Sequence, residues 1–353
     1  MKKILLASLM ALSLAACNEN QDYVYNAVDG SILEQEQDHQ DDLYLPIPDS
    51  AYGPQLNEEG YYVAEIKDGV YWVTEGVYQS MFLTTGEGVI VVDAPPTLGD
   101  KLLSAIKGVT DEAITHVIYS HSHADHIGAA SIFPSSATFI SHEETAKRIE
   151  RSQNQAYGDH YSFGMFIGGG EVPLPSITFE EEYELVVGNK TLELIDSKDA
   201  HTPGNIFINV PDQKVLMIVD IIFPMWSPFG SMAQSENMSA YIQAHETLLD
   251  YEFDTLVSGH LGKLGSKDDV EKQLLYVIDI TDNAASALQT TNFGAIVTEF
   301  GQKNPWLLYE KYLDTAAQTC SELTLDTWAD QLAAVDVFTK SHCDKMVESL
   351  RID

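Results

Sequence analysis

Between Tyr119 and Gly128 the chain reads Tyr-Ser-His-Ser-His-Ala-Asp-His-Ile-Gly, which places His121, His123, Asp125 and His126 within six residues. Three imidazoles and a carboxylate so close together are a costly choice for a core and an unneeded one for a surface. Neutral imidazole is the usual nitrogen donor to Zn²⁺, with carboxylate as the harder partner, so the cluster reads as metal ligands. The run before it, Ile114-Thr115-His116-Val117-Ile118, is apolar enough for a central strand. Such a strand delivers the loop to the sheet edge, where open α/β folds place their sites.

The elements around this loop follow from periodicity and turn residues. Tyr61–Ile66, Val70–Thr74, Tyr78–Thr85 and Val89–Asp93 are short β-rich runs, parted by Asp68-Gly69 and Gly86-Glu87-Gly88. A helix is predicted at about Thr97–Lys107, a buried strand at Ile114–Ser120, a further strand at Ala137–Ser141 and a helix at His142–Arg151. After a Gly/Pro-rich loop, Gly164–Pro175, two hairpins are expected: Glu184–Val187 with Thr191–Asp196, and Asn205–Val210 with Val215–Asp220. Strands followed by strand/helix alternation, twice over, are buried most simply as two mixed sheets packed face to face with helices outside. From Asp268 onward apolar residues recur at helical spacing, as in Val270–Ile280.

The histidine-rich segment resembles the His-x-His-x-Asp-His signature of the metallo-β-lactamase superfamily, and the likeness continues along about residues 61–265. His201 stands in Ala200-His201-Thr202-Pro203-Gly204-Asn205, similar to the family's turn carrying its third histidine. Asp220 closes the run Val215–Val219, and His260 follows Asp254–Val257 in Ser258-Gly259-His260. The resemblance implies an αββα sandwich with a C-terminal helical extension. It also implies two metals, zinc with iron or manganese as alternatives: His121, His123 and His201 on the first, Asp125, His126 and His260 on the second, and Asp220 bridging. Asp125 and Asp220 are the expected catalytic carboxylates, and Asp93 the residue that holds a ligand imidazole in the correct tautomer. Two metals ~3.5–4 Å apart can share a hydroxide and polarise a carbonyl or phosphoryl oxygen.

The activity implied is that of an exported hydrolase using a metal-bridged hydroxide on an ester, lactone or amide bond of a small molecule. A metallo-β-lactamase proper and a mononuclear-iron persulfide dioxygenase are the alternatives. Many class B β-lactamases carry cysteine or serine where this chain has Asp220, which resembles the glyoxalase II and lactonase branches instead. Glyoxalase II proper acts on a mainly cytosolic glutathione thioester recognised with basic residues, which fits an exported, base-poor chain poorly. Flavodiiron proteins replace the second histidine with glutamate, and His123 argues against them. A non-enzymatic metal-binding or docking protein has no need of seven intact ligands. Phe223, Trp226 and Phe229 line an apolar substrate pocket or pack within a loop. In some class B enzymes a lysine stands three residues past the ligand that Asp220 matches; here the residue is Phe223. Met165–Gly170 reads as a glycine-flanked flap or as a buried loop. His116 and His142 match no ligand position and are read as structural, and His39, His160, His245 and His342 show no ligand spacing.

Charge and the N-terminus set the surroundings. With 19 basic and 54 acidic residues the formal charge is −35, which repels phosphate backbones and excludes nucleic acid as a partner. Lys2 and Lys3 precede an apolar run, Ile4–Ala16, too short to span a bilayer comfortably. It ends in Leu14-Ala15-Ala16-Cys17, which resembles the bacterial lipobox. The implied organisation is a lipoprotein signal peptide at 1–17, an acidic tether and wrapping segment at 18–60, the catalytic domain at 61–265 and helices at 266–353. Cys17 would carry the only membrane attachment, in the periplasm and at the outer membrane, since Asn18 follows it. In that oxidising compartment Cys320 and Cys343 form a disulfide or remain two buried thiols.

Overall fold

The β-rich runs form two sheets in the computed structural model, which describes residues 44–154 and 162–352. The signal peptide with Cys17, the acidic tether up to residue 43 with His39, and His160 lie outside the described residues. The first sheet begins as an antiparallel meander of β1 (Tyr62–Lys67), β2 (Val70–Thr74), β3 (Gln79–Thr84) and β4 (Val89–Val92). Helix α1 (Asp100–Val109) then crosses to β5 (Ile114–Ile118), a short turn of helix α2 (Ala124–Ile127) follows, and β6 (Thr138–His142), α3 (Glu143–Asn154) and β7 (Ile177–Phe179) complete the parallel half. Strand order in this seven-stranded sheet follows the sequence.

The second sheet holds β8 (Glu182–Val187), β9 (Lys190–Asp196), β10 (Ile206–Val210), β11 (Val215–Ile218) and β12 (Thr255–Val257), in the order β12-β11-β10-β9-β8. Both expected hairpins are present, as antiparallel β8–β9 and β10–β11 pairs. Helix α4 (Met238–Asp250) returns the chain so that β12 pairs with β11 in parallel. Four more helices follow: α5 (Lys267–Thr290), α6 (Phe293–Phe300), α7 (Pro305–Trp328) and α8 (Val335–Ile352).

Alternation along the strands explains the layering. In β3, β4 and β5 the residues Met81, Leu83, Ile90, Val92 and Ile118 face inward and meet Leu192, Leu194, Ile208, Val215 and Met217 of the second sheet. Their neighbours Phe82, Val91 and Val117 face outward onto Leu102, Ala105 and Ile106 of α1 and Ile149 of α3. The second sheet turns Phe207, Leu216, Ile218 and Leu256 the other way, onto α4, α5, α7 and α8. Both faces of both sheets are therefore covered, and central strands such as Val-Ile-Val-Val of β4 are fully buried. This is an αββα sandwich with C-terminal helices in its outer layer.

Residues Ile47–Asp353 form one compact unit. The helices from 266 onward extend that unit, because α5, α7 and α8 share one apolar core with the second sheet. Cys320 of α7 and Cys343 of α8 are joined by a disulfide, so the alternative of two buried thiols is set aside. The segment before β1 is also packed from Ile47 onward: the Trp226 indole N–H donates to Ala51 O at 2.9 Å, and its ring meets Tyr52 edge-on.

Candidate metal centre

Each site residue sits just past a strand end, where the sheets' backbone stops pairing and side chains turn outward. β5 runs into Ser120 and His121, and His123 stands at the N-cap of α2, which brings Asp125 and His126 round on one helical turn. His201 lies in the loop between β9 and β10, where Gly204 has φ +91. A Cβ there would stand 2.6 Å from Thr145 Oγ1, so only glycine lets this loop close against α3. Asp220 follows β11 and His260 follows β12. The main chain ties the two sheets at this edge: Ile206 N–H donates to Ser120 O at 3.1 Å, and Gln79 N–H to Gly259 O at 2.8 Å. Gln79 Nε2 also donates to His260 O at 2.6 Å, fixing the last loop.

Asp93 and Asp220 both adopt left-handed backbone, with φ of +62° and +64°. For a non-glycine residue this costs roughly 1–2 kcal/mol, which the surrounding bonds must offset. It ended the expected strands early, at Val92 and Ile218, and swings each carboxylate into the site rather than onto a sheet face.

The seven ligand candidates fall into two groups, His121, His123, His201 and Asp220 in one and Asp125, His126 and His260 in the other. Within each group the ligand atoms lie within 4.8 Å of one another. Asp220 serves both. Its Oδ2 is 3.3 Å from His121 Nε2 and 3.4 Å from His201 Nε2, while Oδ1 is 2.9 Å from His260 Nε2 and 3.3 Å from His126 Nε2. His121, His126 and His201 are buried, and His121 Nε2 and Asp220 Oδ1 have no hydrogen-bond partner. Buried polar atoms left unpaired are costly, and seven donors aimed at one another fit a pair of divalent cations between them.

The electrostatics agree with that fit. Burial pushes His121 down to about 4 and His201 well below its ordinary value, so both stand as neutral nitrogen donors. Burial also works against charge on His126, yet the Asp220 and Asp125 carboxylates outweigh it and raise this imidazole to about 10. Asp220 is held well below the usual carboxylate range despite burial, by His126 and His260. The second group thus calls for positive charge, which a metal cation supplies.

Asp93 reaches the site by a relay. Its Oδ1 accepts from Ser120 N–H at 2.8 Å and its Oδ2 from Ser120 Oγ at 2.7 Å, and Ser120 Oγ lies 3.0 Å from His121 Nδ1. Asp93 therefore bears on the His121 imidazole through Ser120. Burial raises Asp93 to about 6, with His126 and the Ser120 bonds pulling the other way.

A cavity of about 1140 Å³ opens over both groups, lined by Tyr78, His123, Asp125, Phe223, Phe229 and His260 among others. Trp226 is not among its lining residues, which corrects its expected pocket role; it anchors the segment before β1 instead. Met165–Ile167 form a short turn between the left-handed Gly164 and Gly168 at the cavity edge, with Phe166 83% exposed, so the loop is not buried. His116 and His142 stand apart from both groups: His116 Nδ1 lies against Thr115 Oγ1 and His142 Nε2 against Glu180 O.

Tyr78 escaped the sequence reading. Its hydroxyl donates to Asp125 Oδ2 at 3.4 Å, and its ring centroid lies 4.6 Å from that of His260. Burial, reinforced by Asp125 and Asp220, holds the hydroxyl protonated well above its ordinary range. Only its place at the start of β3, beside Gln79, hints at this role.

A family model described as the metallo-beta-lactamase superfamily matches residues 73–260. The alpha subunit of a 2,4-dinitroanisole O-demethylase from Nocardioides sp. (strain JS1661) is 24% identical over 302 residues, 84% of this chain and 82% of that protein. Among solved structures, the stereoselective inverting sec-alkylsulfatase Pisa1 from Pseudomonas sp. has a similar fold, with a TM-score of 0.54 at 15% identity over 82% of this chain. The chain spans 50% of that sulfatase's length. A metallo-beta-lactamase from Pontibacter korlensis matches at a TM-score of 0.49 and 18% identity, over 61% of this chain and 99% of its own.

Proposed function

The chain belongs to the metallo-β-lactamase superfamily of metal-dependent hydrolases, and we propose that it cleaves an ester or lactone bond in small uncharged molecules bearing an aryl or acyl group. The observation that carries this reading is Phe223, buried and stacked on His260 at 5.9 Å in the wall of the cavity. A ring beside the metal ligands offers apolar contact where a cation would have offered a charge-assisted bond, typically worth ~1.5–3 kcal/mol.

His121, His123 and His201 would hold one metal and Asp125, His126 and His260 the other, with an oxygen of Asp220 turned to each. Zinc held by these residues would supply a nucleophilic water at neutral pH and a Lewis acid for the scissile carbonyl. The chain's own residues then orient and shield. Asp125 faces the cavity with Tyr78 O–H on its Oδ2, which leaves its other oxygen to accept a proton from an attacking water. Phe223 and Phe229 exclude bulk water from the apolar side.

A second reading is supported by the O-demethylase subunit: cleavage of an activated aryl ether, in which water displaces an alkoxide from an electron-poor ring. Its match covers 84% of this chain, more than residues 1–265 together hold, so it reaches into the C-terminal helices. The test compares kcat/KM for phenyl acetate, a long-chain lactone, 2,4-dinitroanisole and a carbapenem on one zinc-loaded preparation. Phenyl acetate or the lactone leading supports the first reading, and dinitroanisole leading supports the second. Carbapenem turnover above the rest by about tenfold overturns both. Asp220→Ala should suppress whichever activity is measured.

Export and lipid attachment at Cys17, at the outer membrane, belong to the same proposal and rest on Leu14–Cys17. No helix among the described residues is long and apolar enough to cross a membrane. Mass spectrometry of the mature N-terminus should find acylated Cys17; an unmodified Cys17 or cleavage elsewhere counts against it.

A further inference from the structure

The geometry points to Gln273, on α5 and beyond the span matched by the family model, as the positioning residue that sets the substrate wall through Phe223. This rests on the reading that the cavity takes an aryl or acyl group. Three residues after Asp220 the chain has no regular pairing, yet Phe223 must hold its ring against His260. Gln273 supplies the missing bonds. Its Oε1 accepts the Phe223 N–H at 2.8 Å, and its Nε2 donates to Ile221 O. One side chain thereby grips the backbone on either side of Ile222.

The grip is itself fully braced. His245 Nδ1 lies 2.7 Å from Tyr241 O, which assigns its proton to that atom and leaves Nε2 bare. Burial lowers His245 to about 4, in keeping with a neutral ring. The second hydrogen of Gln273 Nε2 then goes to His245 Nε2 at 2.8 Å, and Tyr241 O–H adds a second donor to Ile221 O at 2.9 Å. Gln273, His245 and Tyr241 are each no more than 1% exposed, and none of their polar atoms is left unpaired. A closed buried network of this kind has one arrangement, so it fixes the Phe223 main chain rather than merely tolerating it.

The other wall aromatic is held by the same set of helices. His342 Nε2 of α8 lies 3.1 Å from Phe229 O, Phe338 packs on the Phe229 ring at 5.0 Å, and Ser231 N–H donates to Ser341 Oγ at 3.0 Å. The C-terminal helices thus brace the wall that faces the substrate, through Phe223 and Phe229. Gln273 hydrogen-bonds none of the ligand candidates and does not line the cavity, so its influence on turnover runs through the main chain from Ile221 to Phe223.

Gln273→Met keeps the length of the side chain and removes both hydrogen-bonding ends. On zinc-loaded protein it should raise KM for phenyl acetate relative to KM for vinyl acetate by about tenfold, with zinc content retained. Binding of acetophenone, measured by calorimetry, should weaken in parallel. In a Phe223→Ala background Gln273→Met should add no further loss, since coupled residues are non-additive. Equal losses on the two esters, unchanged acetophenone affinity, or additive effects with Phe223→Ala overturn the assignment. So does a parent protein that fails to bind acetophenone. Should Gln273→Met not fold, Tyr241→Phe removes one donor to Ile221 O and should shift acetophenone affinity in the same direction; no shift there overturns it. A parent that binds acetophenone but turns over neither ester defeats the hydrolase reading alone.

Discussion

The Nε2 atoms of His126 and His260 stand 3.0 Å apart although 134 residues separate them in the chain. Two imidazole nitrogens at that distance either share one proton or share a cation, and Asp220 Oδ1 lies within 3.3 Å of both. Protein purified without chelator should carry close to two metals per chain by elemental analysis, as the two ligand groups require. Chelation should abolish activity and lower the Tm, because a ligand bound only by the folded state stabilises it. A single reproducible iron with oxygen consumption on persulfide would favour the dioxygenase alternative.

The Asp93–Ser120–His121 relay should be felt in metal affinity. Asp93→Asn and Ser120→Ala are each expected to weaken binding of the first metal by ~10–100-fold, measured by competition with a chromogenic chelator. Acting on one imidazole, the two changes should not add. Full additivity would mean that Asp93 acts by another route.

Burial lowers His245 and His342 to about 4. Both are neutral in the folded protein, whereas the unfolded chain takes up protons below 6.5. The unfolded state therefore binds more protons between pH 6.5 and 4: stability is complete above that window and falls as pH drops through it. Each histidine contributes a loss on the order of 3 kcal/mol at the bottom of the window. Thermal unfolding between pH 7 and 4 should show a steeper acid decline for the parent than for His342→Gln. Parallel slopes would show that His342 does not titrate this way.

Cys320 and Cys343 close a loop of 23 residues between α7 and α8. Denatured, non-reduced protein should therefore yield no free thiol from this pair. Replacing both by alanine should cost about 3 kcal/mol in a chain-entropy account, read as a lower denaturation midpoint.

The sequence by itself determined the sandwich and the nearer ligand candidates. Strand alternation and turn residues are local signals, and His121, His123, Asp125 and His126 lie within six positions, so their chemistry is visible before any folding. His201, Asp220 and His260 needed the family resemblance, since each stands alone in its loop. The hairpins were legible for the same local reason, whereas the ends of β4 and β11 were not, because the left-handed turns at Asp93 and Asp220 follow from what their carboxylates must reach.

Only the tertiary structure decided which residues meet across the sheets. Tyr78 and Asp125 are 47 positions apart, and Phe223 and Gln273 are 50. Nothing in either neighbourhood carries a periodic or motif signal for the other. Trp226 reads like Phe223 and Phe229 in an apolar run, yet the chain turns it toward Ala51 while they face the cavity. A disulfide between Cys320 and Cys343 was the reading their shared C-terminal region favoured, and the packing of α7 beside α8 decides it, with Cα atoms 5.9 Å apart. Residue type and spacing encode what a segment can do locally; which partners it finds depends on the packing of layers joined by long connections, and that information is distributed over the whole core.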